Sequence, residues 1–338
     1  MHFEYTYLFL YDIAIVQNMR FGLQHPSFSF DYEEGDTSQI FGSLKTLVTS
    51  AEEKGFDSFW VMDHFHQLQM IGAPGEPMLE GWTTISALAG VTTKIKLGTL
   101  VTGVIYRHPS ILAKMAATLD VISKGRLFMG IGAGWNEEES LAYGIASSFP
   151  SNRERLDRLE EAIQIIRKMW NDEPTATFTG KYYQIKNAYC NPKPIQQPSP
   201  PILVGGSGEK RTLEIVARYA DACNLFGSPE TVKTKLNVLK EHCKKVGRDY
   251  DSILKTKLGS VVIDKNEEVA KERVGRIFKG MPDQQISEYV IYGTKDSVVK
   301  QIEMLEEVGI QYFIVNLEFS RELEELESFA KNVIEKMK

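Results

Sequence analysis

Three stretches of the chain carry residue types that do chemistry, and each follows a short apolar run. The first is Asp63-His64-Phe65-His66, after the run at 58–62. An imidazole titrates near neutral pH, so a histidine here is placed for proton transfer; the competing reading is a histidine that only hydrogen-bonds its neighbours. A metal centre is disfavoured, because His64 and His66 stand two apart, Asp63 is the one obvious third ligand, and nothing downstream completes a set. The second stretch is Gly130-Ile131-Gly132-Ala133-Gly134, followed by Trp135 and an acidic helix start. A tight turn explains one glycine, whereas three also suit close approach of the backbone to a flat ligand. The full GxGxxG of a dinucleotide loop is missing, which argues against a Rossmann site. The third stretch is Gly205-Gly206-Ser207-Gly208, ahead of a helix expected to begin near Glu209. Backbone N–H groups at a helix start attract anions, so this loop is the candidate phosphate site, against the competing reading of a flexible loop.

Such residues need elements to hold them, and the sequence repeats one grammar: an amphipathic helix, a terminating glycine, then an apolar strand. It occurs at 38–62, 109–131 and 294–317. In the middle copy Pro109 suits the first helical position, and Leu112, Met115, Ala116, Leu119 and Ile122 share a face. Eight strands are expected, at 20–24, 58–62, 95–101, 127–131, 201–204, 222–226, 256–263 and 311–317. Their unbroken apolar character is that of a parallel sheet covered on both faces. Eight βα units predict an α/β fold closed as a (β/α)8 TIM barrel, with a doubly wound open sheet as the alternative. In such a barrel the active site forms at the C-terminal ends of the strands, where the three stretches lie. A long helix is expected over 152–170, opened by a capping box of Ser151 and Glu154. Between it and the fifth strand lies an insertion after the fourth strand, at about 172–200, with a hairpin at 175–185 and a proline-rich stretch at 191–201. Insertions of this length are commonly lids or disordered segments.

The 338 residues suit a single barrel, and the net charge of −6 comes without any Lys/Arg block. Nucleic-acid binding is therefore disfavoured, and a small-molecule substrate is expected. Cys190, Cys223 and Cys243 are odd in number and far apart, which argues against a disulfide framework or a CxxC metal site and points to a reducing cytoplasm. The apolar stretch 5–16 is too short to span a bilayer and contains Asp12, so no membrane association is expected. Residues 1–18 read as an N-terminal extension to a barrel domain at 19–338.

From Met19 to about Leu317 the chain resembles the bacterial luciferase-like flavin and F420-dependent oxidoreductases. The resemblance is carried by Asp63-His64, by Leu97-Gly98-Thr99-Leu100-Val101 with Arg107-His108-Pro109, and by the run Leu119 to Leu127. The Gly130 to Trp135 loop and Pro201-Ile202-Leu203-Val204-Gly205-Gly206-Ser207-Gly208 complete it. It is closest to the branch of F420-dependent oxidoreductases, through Gly132-Ala133-Gly134-Trp135 and Cys190-Asn191-Pro192-Lys193-Pro194. It implies an oxidoreductase that transfers a hydride between a small organic substrate and F420. The alternatives are an FMN-dependent monooxygenase supplied by a separate reductase, and a flavin-binding protein without catalysis. By resemblance His64 is the proton-transfer residue, and the cofactor lies on Asp63, Thr99, Leu100, Val101, Gly132, Ala133, Gly134 and the phosphate loop Gly205, Gly206, Ser207 and Gly208. A non-proline cis peptide behind the ring is implied at Thr99-Leu100, and a homodimer is the implied assembly. Trp135 stands where the glucose-6-phosphate branch has glutamate, which argues against that activity.

Overall fold

The computed structural model describes residues 18–30 and 36–338, so the expected extension, Asn18 apart, falls outside the described residues. Eight parallel strands form the barrel: β1 (Arg20–His25), β2 (Ser58–Val61), β3 (Lys96–Thr99), β4 (Met129–Gly132), β5 (Ile202–Gly205), β6 (Ala222–Leu225), β7 (Leu254–Ile263) and β8 (Tyr312–Asn316). Each lies beside its successor, and β8 returns to β1 with Arg20 opposite Tyr312. The β3–β4 seam is held by a single bridge between Leu97 and Leu127. Above it the chain bulges at Leu100 and Val101, then re-pairs with β4 through Thr102–Gly103. This closure rules out the open doubly wound sheet.

The barrel interior is filled from below by Trp60, Phe128, Leu203 and Tyr312, all buried. Trp60 fits because β3 carries a glycine beside it: a Cβ on Gly98 would sit 2.5 Å from the indole and 2.3 Å from the Phe128 carbonyl. The indole N–H donates to Ser58 Oγ, so the largest side chain in the barrel leaves no polar atom unpaired. Outside the strands, the apolar stripes of the helices form the larger core; of the stripe on the helix starting at Pro109, Leu112, Ala116 and Leu119 are buried and Met115 packs against the core, whereas Ile122, in the last turn, is exposed.

The helix Pro109–Ile122 starts at the proline, capped by His108, and ends at Gly125 in the left-handed region, φ 81°. Asn152–Trp170 is helical over the expected span. Its capping box is half made: Ser151 accepts the Glu154 N–H, while the Glu154 carboxylate turns to Arg158. A chain segment missed in the sequence adds a short strand, Val290–Gly293, to the outer end of β7.

The insertion forms an antiparallel hairpin, Thr175–Thr179 with Gln184–Tyr189, reaching further than expected. It is strapped to the outer helices by carboxylates. Glu161 accepts the N–H groups of Lys181, Tyr182 and Tyr183, and buried Asp120 accepts those of Ile195 and Gln196. The insertion is ordered over this span, and none of its residues lines the barrel-mouth cavity. All three cysteines are buried thiols. Among the described residues no helix is long and apolar enough to cross a membrane.

Candidate active site

The C-terminal ends of the strands surround a cavity of about 780 Å³. One end carries His64, just past β2. The short helix Glu137–Ala142 follows β4, capped by Asn136, whose side chain accepts the Glu139 N–H at 3.2 Å. Of its three successive glutamates only Glu139 is fully buried. Its carboxylate meets three donors: His64 Nδ1 at 2.8 Å, the Tyr106 hydroxyl, and the Phe65 N–H. Burial pushes the Glu139 carboxyl up, but the His64 and Tyr106 hydrogen bonds outweigh it and hold it below its ordinary value. Tyr106 is raised by burial and by the same carboxylate, so it stays a donor. Trp135 closes this end edge-on to the imidazole, with ring centroids 5.6 Å apart.

The other residues of the first stretch do different work. Asp63 is buried and does not reach the cavity, contrary to its implied cofactor contact. Both of its oxygens are held by Arg107, at 2.6 and 2.9 Å, and Arg107 also holds Glu80. Burial pushes the Asp63 carboxyl up to about 6 against the pull of Arg107. This pair ties the β2 end to the loop before the helix Pro109–Ile122. His66 donates to or accepts from no cavity group; its Nδ1 faces the Gln67 carbonyl at 3.1 Å and its ring stacks on Tyr143.

The cavity floor is the bulge at Leu100 and Val101. The cis peptide is Leu100-Val101, one residue beyond the implied Thr99-Leu100. Thr99 lies beneath the floor, off the cavity, with its hydroxyl on Thr102 Oγ1 and the Gly130 carbonyl. Gln24 donates to the Leu100 carbonyl at 3.2 Å. The glycines of β4 and β5 serve this bulge before they serve any ligand. A Cβ on Gly132 or Gly205 would lie 2.8 Å from a Val101 methyl, and one on Gly130 would meet the Thr99 carbonyl at 2.0 Å. Gly132, Ala133 and Gly134 do line the cavity with Leu100 and Val101.

At the far end Gly205, Gly206, Ser207 and Gly208 line the cavity together, as expected. Gly206 has φ 115°, a conformation that side chains rarely adopt. The following helix is Thr212–Tyr219, starting three residues later than expected. Lys210 and Arg211 follow the loop and also line the cavity, Arg211 with ion pairs to Asp157 and Glu160. The ammonium of Lys235 donates to Ser207 Oγ at 3.2 Å and to the Phe226 carbonyl at 2.9 Å. Sequence reasoning missed Glu139, Tyr106 and Lys235. An Asn three residues before Glu139 is the one local signal, since an N-cap there fixes which glutamate turns inward.

Three comparisons bear on this geometry. The family model of luciferase-like monooxygenases matches residues 19–312. An uncharacterized protein of Mycobacterium tuberculosis is 29% identical over 256 residues, 72% of this chain and 88% of its own. An F420-dependent glucose-6-phosphate dehydrogenase of Segniliparus rotundus is 26% identical over 326 residues, covering 87% and 93%. The solved structure of an F420-dependent secondary alcohol dehydrogenase with an F420-acetone adduct superposes with a TM-score of 0.78 at 22% identity, over 94% of this chain and 98% of that one.

Proposed function

From a chain that belongs to the luciferase-like monooxygenase family, we propose an oxidoreductase that uses the deazaflavin F420 to move a hydride to or from a small organic substrate. The observation that carries this reading is the His64–Glu139 pair at one end of a cavity whose other end is the glycine loop. The residues fit a flat ring with a phosphate tail. Leu100 and Val101 give an apolar floor, and Gly206 to Gly208, followed on the lining by Lys210 and Arg211, give backbone N–H groups and cations suited to a phosphate. Relatives named as F420-dependent dehydrogenases support the choice of cofactor.

Bound there, a deazaflavin supplies two-electron hydride chemistry. The chain supplies the proton. Glu139, kept ionised, accepts the Nδ1 proton of His64 and so fixes the tautomer that leaves Nε2 toward the cavity. Nε2 is then a base for the hydroxyl proton of an alcohol, or as imidazolium an acid for the oxygen of its carbonyl partner. When His64 becomes cationic, the buried carboxylate opposite it stabilises that charge. Tyr106 and the Phe65 N–H hold the carboxylate still. Asp63 and Arg107 hold the loop that carries His64.

Fluorescence titration with F420 and with FMN tests the cofactor, and His64→Asn tests the proton. The expected outcome is binding of F420, retained within a few-fold in the variant, with turnover of alcohols falling about a hundredfold or more. Binding of reduced FMN in place of F420 would turn the reading to the FMN-dependent monooxygenase.

A further inference from the structure

Asn224 is almost fully buried near the end of β6, yet it lines the cavity. In register it stands between Gly205 of β5 and Thr256 of β7. The Thr256 hydroxyl donates to Asn224 Oδ1 at 2.9 Å. That bond satisfies the acceptor and fixes the amide plane, so the NH2 group is turned from Thr256 toward the cavity. The nitrogen is not one of the buried unpaired atoms of the described residues, and its residue lines the cavity, so it is a donor open to what occupies that space.

Its place identifies the chemistry. Asn224 lies between the floor made by Leu100, Val101 and Leu258 and the loop that starts at Gly205. A ligand whose ring edge meets His64 and whose phosphate meets Gly206 to Gly208 crosses Asn224 with the chain that joins the two. In flavins and deazaflavins alike that chain is a polyol. We infer that Asn224 is a ligand-binding residue that donates to a hydroxyl oxygen of this chain, and that Thr256 is the positioning residue that aims it. The inference rests on the cofactor reading above.

The test is a fluorescence titration of Asn224→Ala, Asn224→Asp and Thr256→Val with three probes: F420, 5-deazariboflavin, and the same ring with a methyl group in place of the polyol. Melting temperature is followed in parallel. Asn224→Ala is expected to weaken both polyol-bearing probes about tenfold, the worth of one hydrogen bond, and to leave the methyl probe unchanged. Asn224→Asp, which keeps the shape and cannot donate, should lose at least as much, and Thr256→Val should show the same pattern more weakly. Should Asn224→Ala fail to fold, the aspartate variant carries the test. Equal loss on all three probes with a lowered melting temperature, or no loss on any, overturns the assignment. Absence of binding of F420 and FMN to the wild-type chain removes the cofactor reading, and this inference with it.

Discussion

Replacing Glu139 by glutamine keeps the shape of the side chain and removes its charge and half of its accepting capacity. Three donors converge on the carboxylate: His64 and Tyr106 on Oε2, and the Phe65 N–H on Oε1. A glutamine offers one oxygen and brings two N–H groups of its own. The backbone N–H of Phe65 cannot turn away, so the amide oxygen stays there and the amide nitrogen replaces Oε2. It then faces an imidazole N–H, and a buried donor set against a donor costs about 1–3 kcal/mol. The conflict is relieved when His64 moves its proton from Nδ1 to Nε2 and Tyr106 turns its hydroxyl to accept. The substitution thus changes the tautomer of the histidine it faces. With the proton on Nε2 the base is blocked and no carboxylate faces the imidazolium, so turnover falls by about 10²–10⁴. The tautomer is read without any substrate: the chain has six histidines, and two-bond ¹H–¹⁵N correlation of labelled imidazoles, assigned with His64→Asn, reports which nitrogen is protonated. The wild type should show Nδ1–H and Glu139→Gln should show Nε2–H. The same tautomer in both proteins would refute the reasoning.

Three further outcomes follow from the packing. Gly132→Ala should cost about 1–3 kcal/mol in denaturant unfolding, because its Cβ meets a Val101 methyl at 2.8 Å, and adding Val101→Ala should recover part of the loss; Gly130→Ala meets backbone instead, and no side-chain truncation should rescue it. Gly206→Val forces a side chain onto a backbone with φ 115°, and is expected to abolish cofactor-phosphate affinity in a fluorescence titration while the barrel still melts cooperatively. Burial pushes the Glu52 carboxyl up, but the N–H groups of Ile95, Lys94 and Thr93 bring it down from 4.5 to about 2. A depressed folded-state pKa gives stability that is present above 4.5 and lost as pH falls toward 2, so Glu52→Gln should flatten the acid limb of the stability profile. An unchanged slope would count against it.

The barrel was legible because its signals are local. Continuous apolar runs and glycine-ended helices recur within short windows, and all eight expected strands form, their ends displaced by a few residues at most. Glycines of both stretches line the cavity, yet Gly130 and Gly132 first make room for Thr99 and for Val101 of the bulge. What escaped the sequence is non-local. Lys235 is one of several lysines on the helix Pro229–Val246, and only its contact with Ser207, 28 residues earlier, sets it apart. Glu139 sits among Glu137 and Glu138, set apart in sequence only by the N-cap Asn136 three residues before it; the direction of the helix decides which one meets His64. The hairpin could be read as a hairpin, but its seat on Glu161, and that of the following proline-rich stretch on Asp120, depended on helices elsewhere in the chain.

The plug of Trp60, Phe128, Leu203 and Tyr312 beneath the bulge has a kinetic consequence. A barrel blocked below leaves the cavity, among the described residues, approached from the strand ends. Two molecules that react inside it must queue: the one resting on Leu100 and Val101 enters first and leaves last, and the one stacked above it comes and goes. Steady-state rates should then show a compulsory order, with the floor-bound molecule as the leading reactant and its product the last to depart.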